Sequence, residues 1–139
     1  MKFLSRLAES GSGEAKAGVS YASVARIESK EVPGVVFSIN RISFGRRMEL
    51  SRQVRALSQR SEFLEAGSQW GEKIEAGILA QEIDVLYLRW ALVGIEGLVI
   101  DDEAATVEQL IEKGPEALTR EIVLAIKEQC GLTEAERKN

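Results

Sequence analysis

A chain of 139 residues with 45% hydrophobic and 29% charged side chains has the composition of one ordinary globular domain. That excludes a wholly disordered chain, a collagen-like repeat and a disulfide-stapled miniprotein. Eighteen basic against 22 acidic residues leave a net charge of −4, which gives no overall attraction for nucleic acid. Histidine is absent and Cys130 is the only cysteine, so Cys/His zinc sites and intramolecular disulfides are excluded. His-based acid–base catalysis and Ser-His or Cys-His nucleophiles go with them.

Residues 1–18 read as a flexible tail. Phe3, Leu4 and Leu7 fit one helical face, so the alternative is a docked turn, but Ser10 to Gly18 is rich in Gly, Ser and Ala. Arg6 interrupts any apolar run that a signal peptide would need. The stretch 83–95 is too short and too charged to span a bilayer. The expectation is a soluble cytoplasmic protein, with residues 19–139 forming a single domain.

Alternation at period two over 19–28 predicts a first strand, with Val19, Tyr21, Ser23, Ala25 and Ile27 on one face. Residues 35–42, Val-Val-Phe-Ser-Ile-Asn-Arg-Ile, predict a second, being rich in β-branched and aromatic side chains. The two suit an antiparallel hairpin. A helix follows over 44–66, with Leu50, Val54, Leu57 and Leu64 in one narrow stripe, Ser61 between them and Gly67-Ser68 as its stop.

A central helix is predicted over 70–95. Its first half is one-sided, with Ile74, Ile78 and Leu79 set against Glu72, Lys73 and Glu75. Its second half, Ile83 to Ile95, is apolar nearly all round, as in a helix covered on several sides. Gly97 to Ile100 reads as a short strand running into a tight turn at Asp101-Asp102, where a glycine at 102 would be easier.

Thr106 and Gln109 form a capping box that starts the next helix. Gly114 ends it and Pro115 begins another, with Leu118, Ile122, Ala125, Ile126 and Gln129 on one face and Glu116 four residues before Arg120. Cys130-Gly131 closes that helix, and Thr133 with Glu136 caps a last short turn. The predicted class is α+β, predominantly α-helical: a small N-terminal β-hairpin followed by about four to five packed helices.

No catalytic, cofactor or metal site emerges from the pattern. The acidic group Asp101-Asp102-Glu103 lacks the twelve-residue loop of a calcium site. Glu82 with Asp84, and Glu121 with Glu128, do not stand at the spacing of a paired acid–base or two-metal site. Arginine is the conspicuous residue: Arg41, Arg46, Arg47, Arg52, Arg55 and Arg60, opposed only by Glu49, give residues 41–60 a charge of +5. At about 100° per residue they spread over more than half the helix wheel, whereas a groove-reading helix would align them. The region from Asp101 onward carries a net −5 and is the natural counterpart. Tyr87, Leu88 and Trp90 admit two readings, as plain core or as part of a partner groove.

Three segments resemble the small tail assembly chaperones of tailed phages and prophages. They are Val32-Pro33-Gly34-Val35-Val36-Phe37-Ser38-Ile39 leading into Arg41-Ile42-Ser43-Phe44-Gly45-Arg46-Arg47, then Glu82-Ile83-Asp84-Val85-Leu86-Tyr87-Leu88-Arg89-Trp90 up to Ile100-Asp101-Asp102, and the stretch from Gly114-Pro115-Glu116-Ala117-Leu118 to the end. The resemblance covers residues 32–139. It implies a non-enzymatic protein, absent from the finished virion, that acts in the host cytoplasm. Such a protein keeps the tape measure protein soluble and recruits tail tube subunits. It implies no cofactor, no membrane and no nucleic-acid partner, and leaves a homo-oligomer possible. Under this reading the partner-binding candidates are Phe44, Arg47, Tyr87, Arg89 and Trp90. A structural tail or connector subunit, or a small nucleic-acid-binding regulator on the arginine helix, are the alternative functions.

Overall fold

The computed structural model describes residues 18–65 and 70–131. The expectations for residues 1–17, for Gly67-Ser68 and for Thr133 with Glu136 lie outside the described residues, as do the side chains of Arg60, Ser61 and Leu64.

The first strand, β1 (Val24–Glu28), starts five residues later than the alternation suggests, because residues 18–23 are exposed on both faces. It pairs antiparallel with β2 (Val36–Asn40), so the expected hairpin forms. The loop between them is held by its own groups: Ser29 N–H donates to the Val35 carbonyl at 2.8 Å, and Val32 N–H to Ser29 Oγ at 2.9 Å. Helix α1 (Phe44–Glu65) and helix α2 (Trp70–Ala91) then form an antiparallel hairpin. Leu50 is buried, and Val54 and Leu57 are half-buried, so the predicted stripe is the seam with α2.

The central helix is shorter than predicted. It ends at Ala91, and Leu92–Glu96 is strand β3, paired antiparallel with β2 through Phe37↔Ile95 and Ile39↔Leu92. Val93, Ile95 and the poor helix former Gly94 favour the extended chain, and β2 supplies a free edge for it. The N-terminal hairpin is thus part of a three-stranded sheet in the order β1-β2-β3, with the α1–α2 hairpin inserted between its last two strands.

A second, two-stranded ladder of β4 (Val99–Ile100) and β5 (Glu103–Ala104) turns at Asp101 and Asp102. Both have positive φ, 51° and 67°, the geometry of a type I′ turn that matches the strand twist. Gly97 has φ 85°, and a Cβ there would lie 2.3 Å from the Gly34 carbonyl oxygen, so glycine is required by both backbone and space.

Helix α3 (Val107–Lys113) carries the predicted capping box, with Gln109 N–H donating to Thr106 Oγ1 at 3.1 Å and Thr106 N–H to Gln109 Oε1 at 3.2 Å. Pro115 is the N-cap of α4 (Glu116–Gln129) rather than its first helical residue. Cys130 ends α4, and Gly131 follows at φ 72°, the left-handed residue expected past a helix end.

The core lies between one sheet face and the helices α2 and α4. Ala25, Phe37, Ile39 and Leu92 point inward from the sheet, and Leu118, Ile122 and Ile126 meet them from α4. Each such aliphatic or aromatic side chain contributes about 1.5–3 kcal/mol by leaving water. The described residues therefore form an α+β fold with four helices and a small antiparallel sheet.

Candidate functional site

The packing of α2 determines where a partner could sit. At 3.6 residues per turn its side chains divide into two apolar stripes rather than one. Ala76, Leu79 and Ile83 are buried against α1, whereas Trp70, Ile74 and Ile78, four residues apart on another face, are 76%, 47% and 45% exposed. The expectation that Ile74, Ile78 and Leu79 share one face is corrected here: Leu79 belongs to the seam, and the isoleucines face outward.

The outward stripe continues along α2 through Gln81, Val85 and Leu88. There α3 and α4 rise beside it and turn the face into a groove of about 520 Å³. Leu110 and Ile111 come from α3, and Thr119, Val123 and Leu124 from α4. Leu124 is exposed at the rim, beside the buried Val123. One end of the apolar face is thus open and the other is walled, an arrangement suited to the apolar side of an amphipathic helix.

A charge pair sits in the groove wall. The Lys127 side chain is 3% exposed, and its Nζ stands 2.9 Å from Asp84 Oδ1 and 5.6 Å from the centre of the Tyr87 ring. The contact to Oδ1 lacks the angle of a hydrogen bond, so charge holds it. Asp84 keeps 34% of its side-chain surface in water, which makes the pair unevenly buried.

Two further contacts set the shape around this face. Arg89 grips Glu108 with both arms, Nε to Oε2 at 2.8 Å and Nη2 to Oε1 at 2.9 Å, which ties α2 to α3. Hydrogen bonding and then the opposite charge raise the Arg89 pKa. The same hydrogen bond lowers that of Glu108. On the other side of α4, Glu121 accepts from Ser29 Oγ at 2.6 Å and from the N–H groups of Lys30 at 2.7 Å and Glu31 at 3.4 Å. Desolvation pushes its carboxyl up, but these three donors and the Lys30 charge outweigh it and hold the pKa below the ordinary value.

The sequence-based candidates do not converge on one surface. Phe44 is 86% exposed at the first position of α1. Arg47 donates to the Cys130 carbonyl at 3.0 Å and so satisfies the C-terminal end of α4. Tyr87 is buried with its ring against Lys127, Arg89 is committed to Glu108, and Trp90 is half-buried, its carbonyl accepting from Asn40 Nδ2 at 3.3 Å. Tyr87 and Leu88 follow the core reading.

Among the described residues no α1 arginine forms an ion pair with the acidic region, which Arg47 meets only at the Cys130 carbonyl. The ion pairs there join Arg26 to Glu96, Arg89 to Glu108, Lys113 to Asp101, Arg120 to Glu116 and Lys127 to Asp84. Cys130 is buried, which pushes its thiol pKa up, with only partial relief from the Arg47 charge. No group of three or more Asp, Glu, Cys or His side chains among the described residues could hold a metal ion, and no described helix is long and apolar enough to cross a membrane.

The residues that sequence reasoning missed are Trp70, Val85, Ile111, Val123 and Leu124. The spacing of Trp70, Ile74 and Ile78 carried the signal, because it runs beside the Ala76, Leu79, Ile83 stripe. No family model matches the chain, and neither the curated proteins nor the solved structures contain a match to it.

Proposed function

We propose that this chain is a tail assembly chaperone of a tailed phage or prophage, a non-catalytic protein of the host cytoplasm. In this reading it holds apolar helical segments of the tape measure protein in solution while tail tube subunits assemble around them. The observation that supports it is the apolar face of α2, open along Trp70, Ile74 and Ile78 and walled by α3 and α4 beyond Val85. A long amphipathic helix presents anchors at i, i+3, i+4 and i+7, and such a face receives that pattern without any prior opening of the core. The resemblance of residues 32–139 to the family supplies the identity of the partner.

The test is co-expression with the tape measure and tail tube proteins of the same genome, followed by pull-down and a solubility assay. Retention of the tape measure protein, and its transfer from the pellet to the soluble fraction, is the expected result. Leu124→Glu places a charge at the exposed groove rim without disturbing the core and should abolish retention. If neither partner is retained and the tape measure protein stays insoluble, the proposal fails. Recovery of the chain in purified particles, in multiples of three or six copies, would make it a structural subunit instead.

A further inference from the structure

The open half of the α2 face has a property that a generic docking surface does not need. Two glycines, Gly71 and Gly77, stand in the helix beside the exposed stripe, and a Cβ at either would meet nothing within 4 Å. In a helix interior glycine is the worst former after proline, and no contact among the described residues explains its use at Gly77; Gly71 stands in the first turn of α2. Trp70, Ile74 and Ile78 between and beside them are exposed.

These five residues read the same way from either end about Ile74: positions 70 and 78 are large, and positions 71 and 77 are glycine. On a wheel of about 100° per residue, Trp70 and Gly77 lie to one side of Ile74, and Ile78 and Gly71 to the other. When two identical helices pair antiparallel about a two-fold axis, each flank meets the same flank of the other copy. An axis through Ile74 therefore brings Trp70 against Gly77 of the second copy and Ile78 against Gly71 of the second copy, with Ile74 on Ile74 at the centre. Each bulky side chain finds a position without a Cβ, which lets the two backbones approach closely.

We propose that the Trp70–Ile78 face of α2 is an isologous interface between two copies of this chain. The patch offers roughly 300–400 Å² per copy, about half of the 800 Å² or so that a stable complex takes from each partner. The dimer is accordingly weak and concentration-dependent rather than obligate. It leaves the walled groove beyond Val85 to other occupants and competes for the open half with the helical partner proposed above, on which it does not depend.

Sedimentation equilibrium on the full chain, from about 10 µM to about 1 mM, tests this directly, because interfaces of this size dissociate in that range. A monomer–dimer equilibrium is expected, and Trp70→Ala should weaken it about tenfold or more. Gly77→Ala separates the proposal from a plain structural role. A helix glycine without intramolecular contacts, changed to alanine, should raise the thermal midpoint by about 3–6 °C at low concentration. The same methyl group should weaken dimerisation about tenfold by holding Trp70 of the other copy away. Gly71→Ala, in the first turn, should change the midpoint little but weaken dimerisation about tenfold through Ile78 of the other copy. A chain that stays monomeric over the whole range overturns the proposal, as does association into trimers or larger species, since a two-fold contact closes at two. Unchanged association in both glycine variants overturns it as well.

Discussion

Replacing Asp84 by asparagine removes the charge opposite Lys127 and leaves a cation whose side chain is 3% exposed. At 2.9 Å the attraction between the two charges is about 5–6 kcal/mol gross at an effective dielectric of 20. Breaking a fully buried pair costs about 3–5 kcal/mol. Because 34% of the Asp84 side chain still meets water, the loss should fall to about 2–3 kcal/mol. Lys127→Met perturbs the other partner. It removes the buried cation, puts a thioether against the Tyr87 ring, and leaves a carboxylate whose side chain keeps 34% of its surface in water although Oδ1 is buried. Its cost should be about 1 kcal/mol or less.

The prediction is therefore an asymmetry: the Asp84 variant is the weaker protein by about 1–2 kcal/mol. The double variant should come within about 1 kcal/mol of the wild type, since neither charge of the pair remains to lose its opposite. Urea unfolding at neutral pH, read from midpoints at a common slope, measures all four corners of the cycle. Equal costs for the two single variants, or a costlier Lys127 variant, would refute the reasoning. Uneven burial would then not govern the pair.

Asp102→Gly should stabilise the protein by about 0.5–1 kcal/mol, because glycine occupies φ 67° without the penalty that aspartate incurs. A lower thermal midpoint would count against the type I′ turn. Gly97→Ala should cost about 2–4 kcal/mol, since the new methyl group meets the Gly34 carbonyl at 2.3 Å and φ is 85°. Near-neutral behaviour in urea would mean that the β3–β4 corner is looser than described. Glu121→Gln should cost about 1–2 kcal/mol at neutral pH by weakening three hydrogen bonds to a carboxylate. The Glu121 pKa is lowered on folding, so its contribution is complete above the unfolded value of about 4.3 and is lost as pH falls through the folded value. The wild type should lose stability in that acid window more steeply than the glutamine variant, and parallel profiles would remove Glu121 as the cause.

The parts of this fold that could be read from the chain are those whose causes are local. The capping box at Thr106, the Gly114-Pro115 break, the left-handed Gly131 and the Glu116–Arg120 pair are settled by groups within four residues of one another. Strand β2 was legible because Val36, Phe37 and Ile39 carry the bulk at Cβ that an extended chain accommodates. Strand β3 was not. From Ile83 onward the chain is apolar at almost every position, and such a run satisfies a period of 3.6 and a period of 2 equally well. What ends α2 at Ala91 is the edge of β2, more than 50 residues earlier in the chain, and only Gly94 hinted at it locally. The role of Glu121 was not legible either, because its three donors come from a loop about 90 residues away.

The same distinction explains why the candidate surface moved. Tyr87 and Trp90 were singled out by size, and large aromatic residues near the middle of a chain most often serve the core, as Tyr87 does. A docking face is better sought where apolar residues exceed what the neighbouring elements can cover. Helix α1 presents one stripe, through Leu50, Val54 and Leu57, so it can bury only one stripe of α2. Ala76, Leu79 and Ile83 already fill that place, and Trp70, Ile74 and Ile78 are left over. The groove that α3 and α4 wall is lined on α2 by Gln81, Asp84, Val85 and Leu88, beyond the three exposed residues. Left as apolar surface on the folded monomer, the stripe points to a role outside it.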